Sequence, residues 1–288
     1  MAMKYEGDAF RERFGPWAVI AGGSDGIGAA FGEALARRGL DVVLIARSEE
    51  KLAAQTARIQ AAQLAKNDPK NAVQIRPVCI DLTAADVGTQ VAQATSDLDV
   101  GLFIYNAGSG REMGSFLDHP VENWMRQVQL ACSGPLALSH HFGGRLRTRG
   151  RGGIILMSSL SSLVGSAYTA TYAAAKAFDT ILGEGLWHEL APAGIDVLSC
   201  LAGATDTETF RADTGGLPNA MDPADVAEGT LDFLGRGPIY IPGASNRAGA
   251  GAMWPVPRIP LINAMSQINA KSFELPFTAL KGSEFRDA

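Results

Sequence analysis

Tyr172-Ala173-Ala174-Ala175-Lys176 opens a segment of helical periodicity, so the phenol of Tyr172 and the ammonium of Lys176 share one face, a turn apart. A free phenol gives up its proton only near pH ~10, and a cation beside it brings proton exchange closer to neutrality. Ser159 stands thirteen residues before Tyr172, just past an apolar run, and adds a hydroxyl that can orient an oxygen. Together the three suit the protonation of an oxygen on which negative charge develops. A Tyr–Lys pair at this spacing is also what an ordinary surface helix displays, and the pair alone decides nothing.

A second constellation lies near the N-terminus. Ala21-Gly22-Gly23-Ser24-Asp25-Gly26-Ile27-Gly28 follows a first apolar strand and opens a helix. Glycines there let the backbone turn tightly and approach a pyrophosphate, and the free N–H groups and helix dipole favour negative charge. Such a turn also serves plain packing. The spacing departs from G-x-G-x-x-G, with three residues between Gly22 and Gly26 and Gly28 two further on. The next strand ends Leu44-Ile45-Ala46-Arg47-Ser48, where a cofactor with a free ribose 2′-hydroxyl would meet Asp or Glu. Arg47 can instead bind a 2′-phosphate by charge-assisted hydrogen bonds, with Ser48 as a further donor, or else point into solvent. NADP(H) is thereby favoured over NAD(H), although Asp25 adds negative charge that opposes it.

These residues need rigid elements to hold them. Trp17–Ala21, Val42–Ala46, Val73–Ile80, Leu102–Tyr105, Ile154–Met157, Asp196–Cys200 and Ile239–Ile241 read as strands. Ile27–Arg38, Glu49–Ala65, Ala84–Ser96, Val121–Leu146, Tyr172–Leu190 and Pro223–Leu234 read as helices between them. The alternation predicts a doubly wound parallel α/β sheet of the Rossmann type covered on both faces. No repeat or linker divides the chain, so one domain is expected: a core over residues 15–243 and a C-terminal extension over 244–288. In that extension Met253, Trp254, Val256, Ile259, Leu261, Ile262 and Met265 would line a pocket, seal a subunit interface or touch a membrane surface, and an interface is the preferred reading.

The glycine loop, Asn106-Ala107-Gly108 after the fourth strand, Ser159 and Tyr172/Lys176 together resemble the short-chain dehydrogenases/reductases over roughly residues 15–243. Gly23–Gly28 with Leu44–Arg47 look most similar to the subgroup of 17β-hydroxysteroid and long-chain 3-ketoacyl reductases. The resemblance implies Asp81-Leu82 at the adenine, Thr207 at the nicotinamide amide, Lys176 at the nicotinamide ribose and Ser159 on the substrate oxygen. It implies hydride exchange between NADP(H) and a carbonyl/alcohol pair, with Tyr172 as acid/base and an apolar ketone or 3-ketoacyl group as the expected substrate, a polar sugar-like one being the alternative. It also implies a homodimer or homotetramer joined through the two long helices. The substrate would lie under the segment Thr205 to Met221.

The match has gaps. The family's relay Asn falls on Ala131, the usual Pro-Gly after the sixth strand is Ala202-Gly203, and the Thr before the first glycine is Ala21. Gln129, Ser133 or backbone groups would have to compensate for Ala131. The gaps keep a second class of function open: an NADP-binding protein with weak or no turnover, acting as a redox-linked binding partner.

Composition narrows the remaining classes. A formal charge of −5, with 47% hydrophobic and 19% charged residues, describes an ordinary globular chain and argues against a nucleic-acid partner. Arg145, Arg147, Arg149 and Arg151 read as a solvated loop. Cys79, Cys132 and Cys200 have no metal-ligand or disulfide spacing, so no metal is expected, and a reducing cytoplasm suits them. The uncharged stretch Gly152 to Ala175 is interrupted by hydroxyls and reads as strand, loop and helix start, not a membrane span. Met1–Phe14 is charged and lacks a signal-peptide pattern. His140 and His141 read as structural residues, since Tyr172 fills the acid/base role.

Overall fold

The computed structural model describes residues 4–66, 72–108, 113–254, 257–272 and 277–284. Seven parallel strands form one sheet in the order β3-β2-β1-β4-β5-β6-β7: β1 (Trp17–Ala21), β2 (Asp41–Ala46), β3 (Ile75–Cys79), β4 (Val100–Tyr105), β5 (Gly152–Ser159), β6 (Ile195–Ala202) and β7 (Ile239–Tyr240). The central strands β1 and β4 are buried along their whole length, as apolar runs covered on both faces require. β3 alternates between half-buried and exposed and carries Pro77, which an edge strand tolerates.

Helices α2 (Gly26–Arg37), α3 (Glu49–Lys66), α4 (Val87–Ala94), α6 (Gly134–Arg149), α7 (Ala170–Leu190) and α9 (Pro223–Phe233) make the crossovers, and two apolar clusters fill the two faces of the sheet. A short α1 (Asp8–Phe14) lay unpredicted in the charged N-terminus. It docks through Phe10 and Phe14, one turn apart and both buried.

Two further expectations change. The helix expected over Val121–Leu146 is α5 (Val121–Val128), a π turn over Gln129–Ser133, and α6. Pro135 supplies a reason: it has no N–H, and its ring crowds the carbonyl four residues back, at Ala131. The arginine cluster is not a loop either, because the helix runs on to Arg149 and ends on Gly150 at φ 71°. Arg145 donates to the carbonyls of Thr95 and Leu98, Arg149 to those of Arg13 and Gly15, and Arg151 to that of Glu12.

The extension is helical, as α10 (Ala244–Met253) and α11 (Arg258–Ser272). Much of its apolar surface packs on its own chain, which corrects the interface reading for those residues. Trp254 joins Leu201, Ile241 and Ala250, while Ile259 and Ile262 pack into the cluster that holds Trp187. Arg258 donates twice to Glu184 on α7, at 2.7 and 2.5 Å, and lies over the Trp254 ring. Met253 and Leu261 are exposed. Val256 and the Met265 side chain lie outside the described residues. Among those residues no helix is long and apolar enough to cross a membrane.

Candidate active site

A cavity of about 790 Å³ opens at the C-terminal ends of the strands, around the β1/β4 switch where the crossover direction reverses. Its wall gathers Gly22, Ser24, Asp25, Gly26 and Ile27 from the β1–α2 turn, and Arg47 and Ser48 from the end of β2. Asp81 and Leu82 after β3 and Asn106, Ala107 and Gly108 after β4 continue it. Ser159 at the end of β5, Tyr172 and Lys176 on α7, and Thr207 after β6 complete it. Gly28 does not line the cavity. It lies one layer down, where a Cβ would strike the Gly22 carbonyl and the Asn106 side chain, so it serves the close approach of α2 to the end of β1.

Local hydrogen bonding explains how the turn keeps its shape. The backbone N–H groups of Asn106 and Ala107 donate to the Ala21 carbonyl at 2.8 and 3.0 Å, and the Asn106 amide donates to the Gly22 carbonyl at 2.9 Å. Gly26 adopts φ +53°, and a Cβ there would come within 2.9 Å of the Thr207 methyl. The side chain of Asp25 caps α2 by accepting from the Gly26 N–H at 2.7 Å. A glycine cradle at the start of a helix, with a guanidinium at the next strand end, fits a dinucleotide and its phosphates.

Lys51 was missed by the sequence reading. Its ammonium bridges Asp25 at 2.7 Å and Glu208 at 2.9 Å, at the edge of the same cavity. Burial alone would raise the Asp25 carboxyl, but Lys51 and the Gly26 N–H outweigh it and hold it below the usual range. The charge that counted against NADP(H) is therefore compensated. The signal lay four residues beyond Arg47, on the cavity-facing turn of α3, but its partners are remote in sequence. Thr83, also unpredicted, fixes Asp81 by donating N–H and hydroxyl at 2.9 and 2.8 Å, and these bonds hold the Asp81 carboxyl low.

At the other end of the cavity the Ser159 hydroxyl oxygen accepts from the Ser161 N–H at 3.1 Å, which leaves its own proton free for an oxygen in the cavity. Ser158 ties β5 to α7 through the Lys176 carbonyl and Thr180, both at 2.7 Å. The Lys176 ammonium, 3% exposed, donates to the Met157 carbonyl at 2.6 Å and to Asp179 at 3.1 Å. Asp179, also unpredicted, sits three residues beyond Lys176, a helical spacing visible in the sequence whose meaning depends on burial. Thr207 caps the short helix α8 (Glu208–Thr214) by accepting from the Phe210 N–H, with its methyl over the glycine loop. Residues 205 and 221 bridge, which closes the base of that segment. His140 is exposed and His141 half-buried on α6, and neither is among the residues lining the cavity.

Residues 16–215 match the family model of the short chain dehydrogenases. The chain is 33% identical over 245 residues to a 7beta-hydroxysteroid dehydrogenase of Clostridium sardiniense, over 83% of this chain and 89% of that protein. It is 31% identical over 186 residues to a very-long-chain 3-oxoacyl-CoA reductase of Podospora anserina, over 64% of this chain and 53% of that protein. A short-chain dehydrogenase from Sphingobium yanoikuyae in complex with NADPH superposes with a TM-score of 0.71 at 26% identity, over 93% and 99% of the two chains. The matched stretch runs from the first strand through the last wall of the cavity, and with it the chain belongs to the short-chain dehydrogenase family, oxidoreductases that act on CH–OH groups.

Proposed function

We propose that this oxidoreductase uses NADP(H) to interconvert an apolar ketone, of the steroid or 3-ketoacyl kind, and its secondary alcohol. The observation that carries the reading is the gathering of Arg47 and the glycine cradle with Ser159, Tyr172 and Lys176 on one cavity wall. A nicotinamide bound there supplies or accepts the hydride. Ser159 donates its free proton to the carbonyl oxygen and orients it, and Tyr172 delivers the proton as charge grows on that oxygen. Lys176 contributes a positive field one helical turn away. Arg47 and Ser48 hold the 2′-phosphate, and Asp81 and Leu82 flank the adenine. Thr207 closes over the dinucleotide.

An apolar substrate is supported by Met113, an exposed side chain on the cavity wall, with Phe116, Leu117, Val164 and Tyr168 exposed in the segments that follow the cavity-lining Met113 and Ser161 in the chain. The 7beta-hydroxysteroid and 3-oxoacyl-CoA specificities of the relatives point the same way. We place the division between core and extension at residue 243, and the unpaired thiols of Cys79, Cys132 and Cys200 support a reducing, cytoplasmic setting. Val121, Met125, Leu136 and Ile181, exposed on α5, α6 and α7, support a homodimer or homotetramer joined through those helices.

The test is titration with NADPH and NADH followed by a panel of bulky ketones and 3-ketoacyl thioesters. Tighter NADPH binding with ketone-dependent oxidation supports the reading. NADPH binding with no turnover of any carbonyl would replace it with the binding-protein alternative, which the methyl of Ala131 in place of the relay amide favours.

A further inference from the structure

We propose that Asp179 is a positioning residue of this site, a buried counter-charge that holds the Lys176 ammonium at the cavity floor where the relay Asn is missing. The proposal rests on the reading of Lys176 given above.

The geometry is specific. Asp179 and Lys176 are 1% and 3% exposed, and Asp179 Oδ2 lies 3.1 Å from Lys176 Nζ. An ammonium has three protons. One goes to the Met157 carbonyl and one to Asp179, so the third is left for the cavity that Lys176 lines. Without Asp179 the ammonium would have one fixed anchor and could swing. A Cβ on Gly108 would lie 2.9 Å from Lys176 Nζ and 3.7 Å from the Ala131 Cβ. The Ala131 methyl thus borders the same spot and offers it no polar atom. Gln129 and Ser133, named as possible substitutes, are absent from the hydrogen bonds of Lys176.

The carboxylate is costly where it stands. Asp179 Oδ1 is buried without a hydrogen-bond partner among the described residues, and an apolar residue at this inward-facing position of α7 would pack at lower cost. Such a departure from packing logic is expected where function requires it.

The other titratable groups facing the pair are Cys132 on the π turn, Tyr105 on β4 and Tyr172 on α7. Burial pushes the Cys132 thiol up to about 11 and raises the Tyr105 phenol, so neither is an anion near neutrality. Burial also raises the Asp179 carboxyl, to about 6, and above that pH it carries the charge. Burial by itself would pull the Lys176 ammonium down, but Asp179 foremost, together with Tyr172 and Cys132, outweighs it and the net direction is upward. Removing the carboxylate leaves burial in control, so the ammonium loses its proton at lower pH.

The test follows NADPH affinity by fluorescence from pH 6 to 10.5, alongside kcat/KM with a ketone, for the full chain and for Asp179→Asn, with Lys176→Met as the reference that lacks the ammonium. The expected result is that NADPH affinity, held by the parent across this range, is lost within it in Asp179→Asn, a downward shift of about one to three pH units. An unmoved limb with uniformly weaker binding overturns the proposal, since a structural role would lower amplitude alone. Asp179→Ala carries the same expectation should Asp179→Asn not fold, and failure of both to fold also overturns it, because the carboxylate would then be structural. A shifted binding limb in a protein that reduces no ketone would sink the oxidoreductase reading and leave the Asp179 assignment standing. An unmoved limb in an active reductase would do the reverse.

Discussion

Two side chains at the cavity floor contribute unequally, and single substitutions separate them. Tyr172→Phe removes the proposed proton donor, and ketone reduction is expected to fall by about 10²–10⁴-fold with NADPH affinity nearly unchanged. Ser159→Ala removes one oriented donor, for an expected loss of about 10²–10³-fold in kcat. Steady-state kinetics beside a binding titration checks both, and retained turnover in Tyr172→Phe would remove it from the acid/base role. At the cofactor end two cations make different predictions. Arg47→Asp should weaken NADPH by roughly 10–100-fold, the worth of a charge-assisted contact, and improve NADH relative to it. Lys51→Ala instead leaves Asp25 uncompensated beside the proposed pyrophosphate site, so calorimetry should find both cofactors weakened alike, by about two- to fivefold and less so at high salt.

Elements set how closely these groups approach. α2 meets β1 and the Asn106 side chain only because Gly28 has no Cβ. Gly28→Ala is therefore expected to abolish binding of either cofactor and to lower the melting temperature, whereas Gly249→Ala, in open space on α10, should change neither. Ser159 and Ala202 are register partners on β5 and β6, so the strand that carries the serine is held by the strand that leads into the segment above the cavity. α11 is tied to α7, the helix of Tyr172 and Lys176, through the Arg258–Glu184 pair, whose side chains are 15% and 6% exposed. Arg258→Ala leaves the Glu184 carboxylate buried without that partner, and urea denaturation should show a loss of about 3 kcal/mol. A variant as stable as the parent would mean α11 contributes little to holding α7.

The whole molecule places the site at the C-terminal ends of the central strands, where the winding direction reverses, and it leaves an apolar stripe exposed on α5. Val121, Met125 and Val128 follow helical spacing and are all exposed, with Ile181 exposed on α7. A lone chain rarely leaves such a stripe uncovered. Light scattering is expected to give a dimeric or tetrameric mass, and Met125→Glu with Ile181→Glu should reduce it toward the monomer. A monomeric mass for the unaltered protein would remove the helix-mediated assembly.

The parts legible in the sequence are those whose physics is local. Apolar runs separated by helical periodicity specify parallel strands and crossovers, the glycine turn needs only its neighbours in the chain, and Tyr172 and Lys176 share a face by helical geometry alone. What the sequence left open, tertiary structure decided, because the meaning of a charge depends on its burial and on distant partners. Asp179 is an ordinary helical acid until both it and Lys176 are buried. Lys51 gains a role only when residues 26 before it and 157 after it come within reach. Arg145 and Arg149 resemble a solvated cluster until remote backbone carbonyls meet them. Pro135 was in plain view, yet its effect, a widened turn centred on Ala131, emerges only where the helix is held against the sheet on both sides of it.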